Sequence, residues 1–391
     1  MTGNWRGPSA DGPGRDSRVA IDVRHWRDFG YGTYIRNLVR TLAKVDSEFQ
    51  FQLIARSEHL QELAALPERF TAIPYDRTDK DRLDNIALPW FLRKLRPDLV
   101  HIPLNSVPWF LPRPYVVTIH DLSTLVFGLG NQARDRLHRM RFRRGLVRAD
   151  RVIAVSDSTR RDVQNLLNIP PGRVRRIYNA IDGDFSASGA AAEVQGTLDR
   201  YQIDYPFLLY AGSVRPQKNV ARIIEAFAVL REDLEQHPRY RDLRLVIIGD
   251  EMSKYPNIRR AVLQGRVEKQ VRFLGFVPAE ALHAFYRAAE VFVFPSLYEG
   301  FGLPPLEAMA SGTPVVTSGV SALPEVVGEA AMIVKPENVF DIARGIKEVL
   351  LNETLRCSLV EQGLEQARRF SWYDTATQVL DTYREVLAAR R

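Results

Sequence analysis

The stretch "VFVFPSLYEGFGLPPLEAMASGTPVV" (Val291–Val316) changes character three times within one short span. It opens as an apolar run of the kind that forms a buried strand. It turns at Gly300 and Gly302, where backbone N–H groups can approach a ligand closely. Pro304 and Pro305 suit the first turn of a helix, whose leading N–H groups have no partner in any case, and Gly312 ends that helix. A second apolar run, Pro314–Ser318, follows. Strand, turn, helix, strand is the repeating pattern of a parallel α/β sheet.

The same alternation extends in both directions. Upstream, "RVAIDV" (18–23), "FQLIA" (51–55), "LVHIP" (99–103), "YVVTIH" (115–120) and "RVIAVS" (151–156) read as strands. After "FGYG", the positions Tyr31, Tyr34, Ile35, Leu38, Val39 and Leu42 repeat with the helical period. "SDSTRRDVQNLL" reads as a helix with a serine available as its N-cap. Downstream, "FLLYAGS" (207–213), "LRLVIIGD" (243–250), "VRFLGFV" (271–277) and "AMIVK" (331–335) complete a second set of strands. Between the sets, "IDGDFSASGAAAEVQGTLDR" loses the pattern, which marks a domain boundary. The expectation is an α/β chain of two doubly wound, Rossmann-like domains: a leader over 1–17, a first domain over 18–183, a linker over 184–204 and a second domain over 205–371. In such sheets ligands bind at the carboxyl ends of the strands, so a cleft between the domains is where chemistry belongs.

Composition narrows the function classes. At 391 residues the chain exceeds one ordinary core. Its single cysteine, Cys357, excludes an intramolecular disulfide framework and any multi-thiolate metal site. The leader "MTGNWRGPSADGPGRDSR" has no apolar stretch, and no segment has the run of apolar residues that spans a bilayer. A cytoplasmic protein is expected, peripheral at the inner face of a membrane if the surface charge is used. The net charge of +7 favours anionic partners. Much of it lies in "RDRLHRMRFRRGLVRADR" (Arg134–Arg151), with eight arginines against two aspartates. That segment reads either as a patch for an anionic membrane surface or as a solvated helix face.

The strand ends carry the candidate site. Glu299 follows the apolar run directly, and Glu307 lies about one turn into the next helix. A helix N-terminus facing a cleft attracts anions through free N–H groups and its positive dipole end. The arrangement suits a nucleotide sugar: diphosphate at the helix start, sugar hydroxyls at Glu299, ribose hydroxyls at Glu307. Both glutamates equally suit the start of a helix for electrostatic reasons alone. "YAGSVRPQKNV" (210–220) is another strand running through Gly212 and Ser213 into a helix, and its Arg215 and Lys218 offer two cations to a diphosphate. In the first domain, Gly30 and Gly32 sit in a loop before a helix, and "TIHDLS" places His120 and Asp121 at a strand end.

With these motifs in place, the chain resembles the retaining glycosyltransferases of family 4, which have the GT-B fold. "EGFGLPPLEAMASGTPVV" matches that family's E-x7-E donor motif and "GSVRPQKNVARIIEAF" its phosphate loop. "ADRVIAVSDSTRRDV", "IYNAID" and "IDVRHWRDFGYGTYIRNL" match as well, so the likeness runs from about Arg18 onward. The pattern is most similar to bacterial mannosyltransferase-type members that build surface polysaccharides or glycolipids. The resemblance implies that Glu299 contacts the donor sugar, Glu307 the ribose, and Lys218 with Arg215 the diphosphate. It implies that amides of Phe301, Gly302 and Leu303 seat sugar and phosphate, that His120 lines the reaction centre, and that the Gly30–Gly32 loop closes on the donor side. Where many members carry an arginine after the glycine, this chain has Ser213, and Arg215 is the nearest substitute. The segment "FSWYDTATQVLDTYREVL" resembles the helix that crosses back onto the first domain, here over 372–391.

Transfer of a hexose requires stabilisation of a departing diphosphate, and two cations with a helix N-terminus supply it without a metal or other cofactor. Mannose from a GDP donor to a glycan or lipid-linked acceptor is the leading expectation, and glucose from UDP the alternative. A glycosidase pair must flank one scissile bond, which Glu299 and Glu307 do not suit. "DGD" (182–184) imitates a metal-binding motif but falls in the expected linker, away from the expected phosphate site. A nucleic-acid-binding role for the arginine segment lacks zinc spacing and a recognition module.

Overall fold

The computed structural model describes residues 17–28, 30–79, 81, 83–128, 132–183, 185–187, 191–249 and 255–390. The expected leader falls outside these residues except for Ser17, as do Phe29, Asp184 and positions 188–190 of the expected linker.

Two parallel sheets organise the chain. The first holds β1 (Ser17–Asp22), β2 (Phe49–Ala55), β3 (Phe70–Pro74), β4 (Leu99–Ile102), β5 (Tyr115–Ile119), β6 (Arg151–Ala154) and β7 (Val174–Arg176), in the order β3-β2-β1-β4-β5-β6-β7. The second holds β8 (Phe207–Gly212), β9 (Arg244–Gly249), β10 (Val271–Gly275), β11 (Val291–Phe294), β12 (Val315–Ser318) and β13 (Met332–Val334), in the order β10-β9-β8-β11-β12-β13. Central strands such as β5 and β11 are buried at every residue. That explains their unbroken apolar character, since helices cover both faces of a parallel sheet. The expected interior strands are all present, a residue or two shorter or longer than read. β3 and β7 were not expected. They are the two edges of the first sheet, where the proline of "FTAIP" and the arginines of "VRR" are tolerated because one side lacks a partner strand.

In each sheet the strand order reverses once, between β1 and β4 and between β8 and β11. These switch points are where open α/β sheets leave a crevice for a ligand.

The helices of the first domain are α1 (Tyr31–Leu42), α2 (Leu60–Leu63), α3 (Asp84–Leu95), α4 (Ser123–Val126), α5 (Gln132–Arg148) and α6 (Asp157–Leu167). Ser156 caps α6 as expected, its hydroxyl accepting from the Thr159 amide. The arginine-rich segment forms α5, which buries Phe142 and Leu146 and leaves Met140 exposed. The expected linker contains a helix, α7 (Ala191–Arg200), whose Leu198 joins the second core. The second domain adds α8 (Val220–Leu234), α9 (Pro256–Gln264), α10 (Ala279–Ala288), α11 (Leu303–Ala310), α12 (Leu323–Val327), α13 (Val339–Leu351) and α14 (Glu353–Arg368). The last helix, α15 (Trp372–Ala388), returns to the first domain. There it lies beside α1, and Trp372, Ala376, Val379, Leu380 and Tyr383 belong to the first core. The Tyr383 hydroxyl meets Nδ1 of the buried His101 at 2.6 Å, and Nε2 of that histidine meets Thr118 Oγ1 at 2.8 Å. Among the described residues no helix is long and apolar enough to cross a membrane.

Candidate active site

The switch point of the second sheet brings the expected donor residues together. Leaving β8, the chain passes Gly212 and Ser213, whose carbonyl accepts from the Tyr210 hydroxyl at 2.6 Å. A short 3-10 turn, Pro216–Lys218, ends at Asn219 in the left-handed region (φ 62°). Asparagine tolerates that conformation better than most residues. Its side-chain amide donates to the carbonyls of Pro295 and Pro336 at 3.0 and 2.7 Å, and the Leu297 amide donates to the Gln217 carbonyl. The loop is thereby tied to the end of β11.

Lys218 and Glu299 sit on either side of that tie. The ammonium of Lys218 lies 2.7 Å from each carboxylate oxygen of Glu299. The sequence reading assigned the two to different parts of one ligand; in the structure they pair with each other. Glu299 is 9% exposed, and its backbone amide donates to the Ser321 hydroxyl. Arg215 is exposed at the start of the same turn. It is close enough to Tyr31 of the first domain to oppose the rise in the tyrosine's pKa that burial and Asp121 produce.

Beyond Glu299, Gly302 has φ 123° and serves as N-cap of α11, so a side chain there would be strained. The ring of Phe301 is buried against Tyr178 and Phe370, which leaves only its backbone to a ligand. Leu303 is the first residue of α11. Glu307 is more enclosed than the sequence reading required. One of its oxygens accepts from the Tyr286 hydroxyl at 3.0 Å. Burial pushes its carboxyl up to about 7; the Tyr286 bond opposes the rise and the charge of Asp182 adds to it. Asp182 belongs to the "DGD" run, which was expected to lie away from the phosphate site; its charge reaches this carboxyl, assigned to the ribose. Among the described residues no group of three or more His, Cys, Asp or Glu is arranged to hold a metal ion.

The first domain presents its own switch point opposite. Gly30 is the N-cap of α1 and Gly32 is buried in its first turn. The His120 amide donates to Asn105 Oδ1, and its Nε2 lies 3.1 Å from the Pro103 carbonyl. Only a protonated Nε2 can make that bond, so Nδ1 carries the free lone pair. The ring stands edge-on between Tyr31 and Tyr34, with centroids at 5.0 and 4.7 Å. Burial lowers its pKa to about 4, against the bond to Pro103 and the charge of Asp121. His120 is neutral at pH 7 and can accept one hydrogen bond.

The two halves meet at Gly300. A Cβ there would overlap the carbonyl oxygen of His120, so glycine alone lets the Glu299 turn close onto the histidine. Thr159 donates to the Gly300 carbonyl at 2.9 Å, and Tyr298 donates to Asp162 at 2.7 Å. Glu325 on α12 accepts from the amides of Asp157 and Ser158 at the start of α6, at 2.9 and 3.0 Å. A carboxylate at a helix N-terminus is favoured by both hydrogen bonding and the dipole. Sequence reading missed Asn105, Thr159, Asn219, Tyr298 and Glu325. Of these only Asn219, an asparagine just before a helix, carried a local signal.

Comparison with known proteins bears on the family and the fold. Residues 30–185 match the family described as Glycosyltransferase Family 4, and residues 200–366 match Glycosyl transferases group 1. The chain is 35% identical over 299 residues to O-antigen chain mannosyltransferase B of Escherichia coli, covering 75% of this chain and 76% of that protein. It is 33% identical over 300 residues to the serotype-specific mannosyltransferase WbdA of Escherichia coli, covering 75% of this chain and 35% of WbdA. Among solved structures, Anabaena HepE in complex with UDP and glucose superimposes with a TM-score of 0.74 at 16% identity, over 94% of this chain and 100% of that one. The fold is GT-B, and the chain belongs to the family 4, group 1 glycosyltransferases.

Proposed function

We propose that this glycosyltransferase moves a hexose, mannose first, from a nucleoside diphosphate donor to a hydroxyl of a glycan or glycolipid acceptor, with retention and without a metal. The observation that carries the proposal is the Lys218–Glu299 pair, set at the switch point beside the start of α11, with the next residue, Gly300, packed against the His120 carbonyl across the domain seam. An incoming diphosphate takes Lys218, with Arg215 and the amides of Gly302 and Leu303 completing an anion site. The freed Glu299 carboxylate then accepts from the sugar hydroxyls. As the glycosidic bond to phosphate lengthens, Lys218 and the helix N-terminus stabilise the charge that develops on the leaving oxygen. His120 Nδ1 accepts from a hydroxyl of the transferring sugar, which fixes its orientation. Glu299 is engaged with the sugar hydroxyls, so we favour a same-face path in which the leaving phosphate oxygen takes the acceptor's proton. Glu307 and the nucleoside ribose complete the donor contacts. The mannosyl preference rests on the kinship with Escherichia coli mannosyltransferases, and guanine is the donor base we propose with it. Glucose from UDP is the second reading, favoured by the ligands of the HepE structure.

Thermal shift against a panel of nucleotide sugars separates the two readings, because a donor stabilises by RT ln(1 + [L]/Kd). GDP-mannose is expected to shift the midpoint most; a shift with UDP-glucose alone selects the second reading. Retention is read from the anomeric configuration of the product by NMR, and an inverted product overturns it. A glycosyl-enzyme trapped on Glu299 overturns the same-face path. Activity lost to EDTA and restored by manganese overturns the metal-free mechanism.

A further inference from the structure

The first domain carries a strip of surface that the chemistry above leaves unused. Leu83 at the N-cap of α3, then Ile86 and Trp90 on the helix, are 61%, 63% and 58% exposed. Their spacing places all three on one face. The opposite face, with Leu88, Pro89 and Leu92, is buried in the domain. The strip extends beyond the helix. The Arg93 guanidinium donates to the Phe110 carbonyl at 2.9 Å, which ties the backbone of the exposed Phe110 to α3. The guanidinium carbons of Arg141 and Arg144 on α5 lie 5.3 and 5.9 Å from the Trp109 ring centroid, and that of Arg144 lies 6.0 Å from the centroid of the Phe110 ring. Lys94 holds its ammonium 3.5 Å over the ring of Trp90.

Singly exposed apolar residues are ordinary, but an aligned Leu, Ile and Trp with a neighbouring Phe is not. The border decides what covers them. Arg93, Lys94, Arg141 and Arg144 all have long apolar stems, and among the described residues none of them pairs with a carboxylate. An apolar helix face containing tryptophan and rimmed by such cations matches the boundary between headgroups and acyl chains, where the stems lie along the apolar layer and the charges reach lipid phosphates. The place fits as well. Asp84, in the first turn of α3, accepts from Arg24 at 2.9 Å, and Arg24 follows the carboxyl end of β1. The strip therefore starts beside the first domain's side of the cleft.

We propose that this strip seats the protein on an anionic phospholipid bilayer. Leu83, Ile86, Trp90 and Phe110 enter the interface, and the four cations contact lipid phosphates. The arginine-rich helix α5, which the sequence singled out by itself, supplies only one border. The inference adds to the proposed reaction and is read without it, since the assay contains no donor.

The test is co-sedimentation of the full chain with vesicles of phosphatidylcholine alone and of phosphatidylcholine mixed with phosphatidylglycerol. Binding is expected only to the mixed vesicles, and it should weaken as salt is added. Ile86→Ser with Trp90→Ser should reduce partitioning about tenfold or more, while its melting midpoint and circular dichroism stay close to those of wild type. Arg141→Gln with Arg144→Gln should reduce binding and lower its salt sensitivity. Brominated acyl chains should quench tryptophan fluorescence of the wild type, which carries the test even where a variant fails to fold. No sedimentation with anionic vesicles, or unchanged sedimentation of a folded Ile86→Ser/Trp90→Ser protein, overturns the proposal. So does an equilibrium centrifugation result in which wild type dimerises through this face and the variant does not.

Discussion

Lys218 and Glu299 form a closed ion pair, the ammonium equidistant from both carboxylate oxygens at 2.7 Å. Their side chains are 19% and 10% exposed, so the pair is largely withdrawn from water. Removing one partner leaves the other charge stranded, whereas removing both does not. Lys218→Met should destabilise by about 1–2 kcal/mol, and Lys218→Met/Glu299→Gln should recover part of that loss. Urea denaturation of the two singles and the double gives the coupling directly. No coupling would mean the pair is not formed in solution.

The same lysine has a second task once donor is bound. Loss of one preorganised charge at a leaving group costs about 10²–10³ in turnover. Lys218→Ala should therefore lower kcat by that order with a smaller change in donor affinity. An equal effect on both would make it a general binding residue.

Glu307 should impose a pH dependence on both stability and binding. Its carboxyl is raised from 4.5 to about 7 in the folded chain. Below pH 4.5 it is protonated in both states and has no effect. Between 4.5 and 7 only the unfolded chain sheds the proton, so stability falls as pH rises, by about 3 kcal/mol in all. Glu307→Gln should match wild type at pH 4 and exceed it at pH 8, as followed by melting midpoints. In wild type the donor should bind more tightly above pH 7, where the carboxylate can accept from ribose; Glu307→Gln should lose that inflection.

His120 should contribute no inflection near neutrality, because burial holds its pKa at about 4. His120→Ala should depress kcat by about 10², and His120→Asn should restore part of it by returning an acceptor. A kcat/KM profile with a limb near pH 6.5 that vanishes in His120→Ala would contradict the neutral assignment.

Gly300→Ala tests the seam. The added methyl would overlap the His120 carbonyl oxygen, so the two domains must part or the turn must shift. Misplacement of this kind costs about 10²-fold in rate even when the chemical groups are intact. We expect kcat/KM to drop by that order while donor affinity, which depends on the second domain, changes little. Isothermal titration with donor alongside steady-state kinetics separates the two.

The interior of both sheets was legible because a strand covered on two faces must be apolar throughout, and "YVVTI" or "VFVF" admits no other reading. Edge strands escape that constraint: β10 and β13 kept enough apolar residues to be read, while the proline of "FTAIP" and the arginines of "VRR" hid β3 and β7. The donor loops were legible for a similar reason: glycine, proline and a charged residue at a strand end have few alternative uses. What stayed hidden was every contact between domains. Glu325 and the amides of Asp157 and Ser158 are far apart along the chain, as are Thr159 and Gly300, and neither pair has any periodicity to betray it. The pairing of Lys218 with Glu299 was hidden by a subtler cause. Each residue had been read as a partner for a ligand, and opposite charges chosen to grip one molecule will grip each other when it is away.

The return of α15 to the first domain has a consequence for biogenesis. Trp372, Val379 and Tyr383 fill a groove beside α1, yet the ribosome delivers them only after the entire second lobe. Domains otherwise tend to settle in the order they emerge. The first lobe thus waits, with its apolar groove uncovered, until its sibling has been made, and its maturation is a closing event in which the last helix threads home and buries His101. A nascent polypeptide stalled before Phe370 should be a good client for chaperones that shield greasy surface, and emergence of α15 should end that dependence.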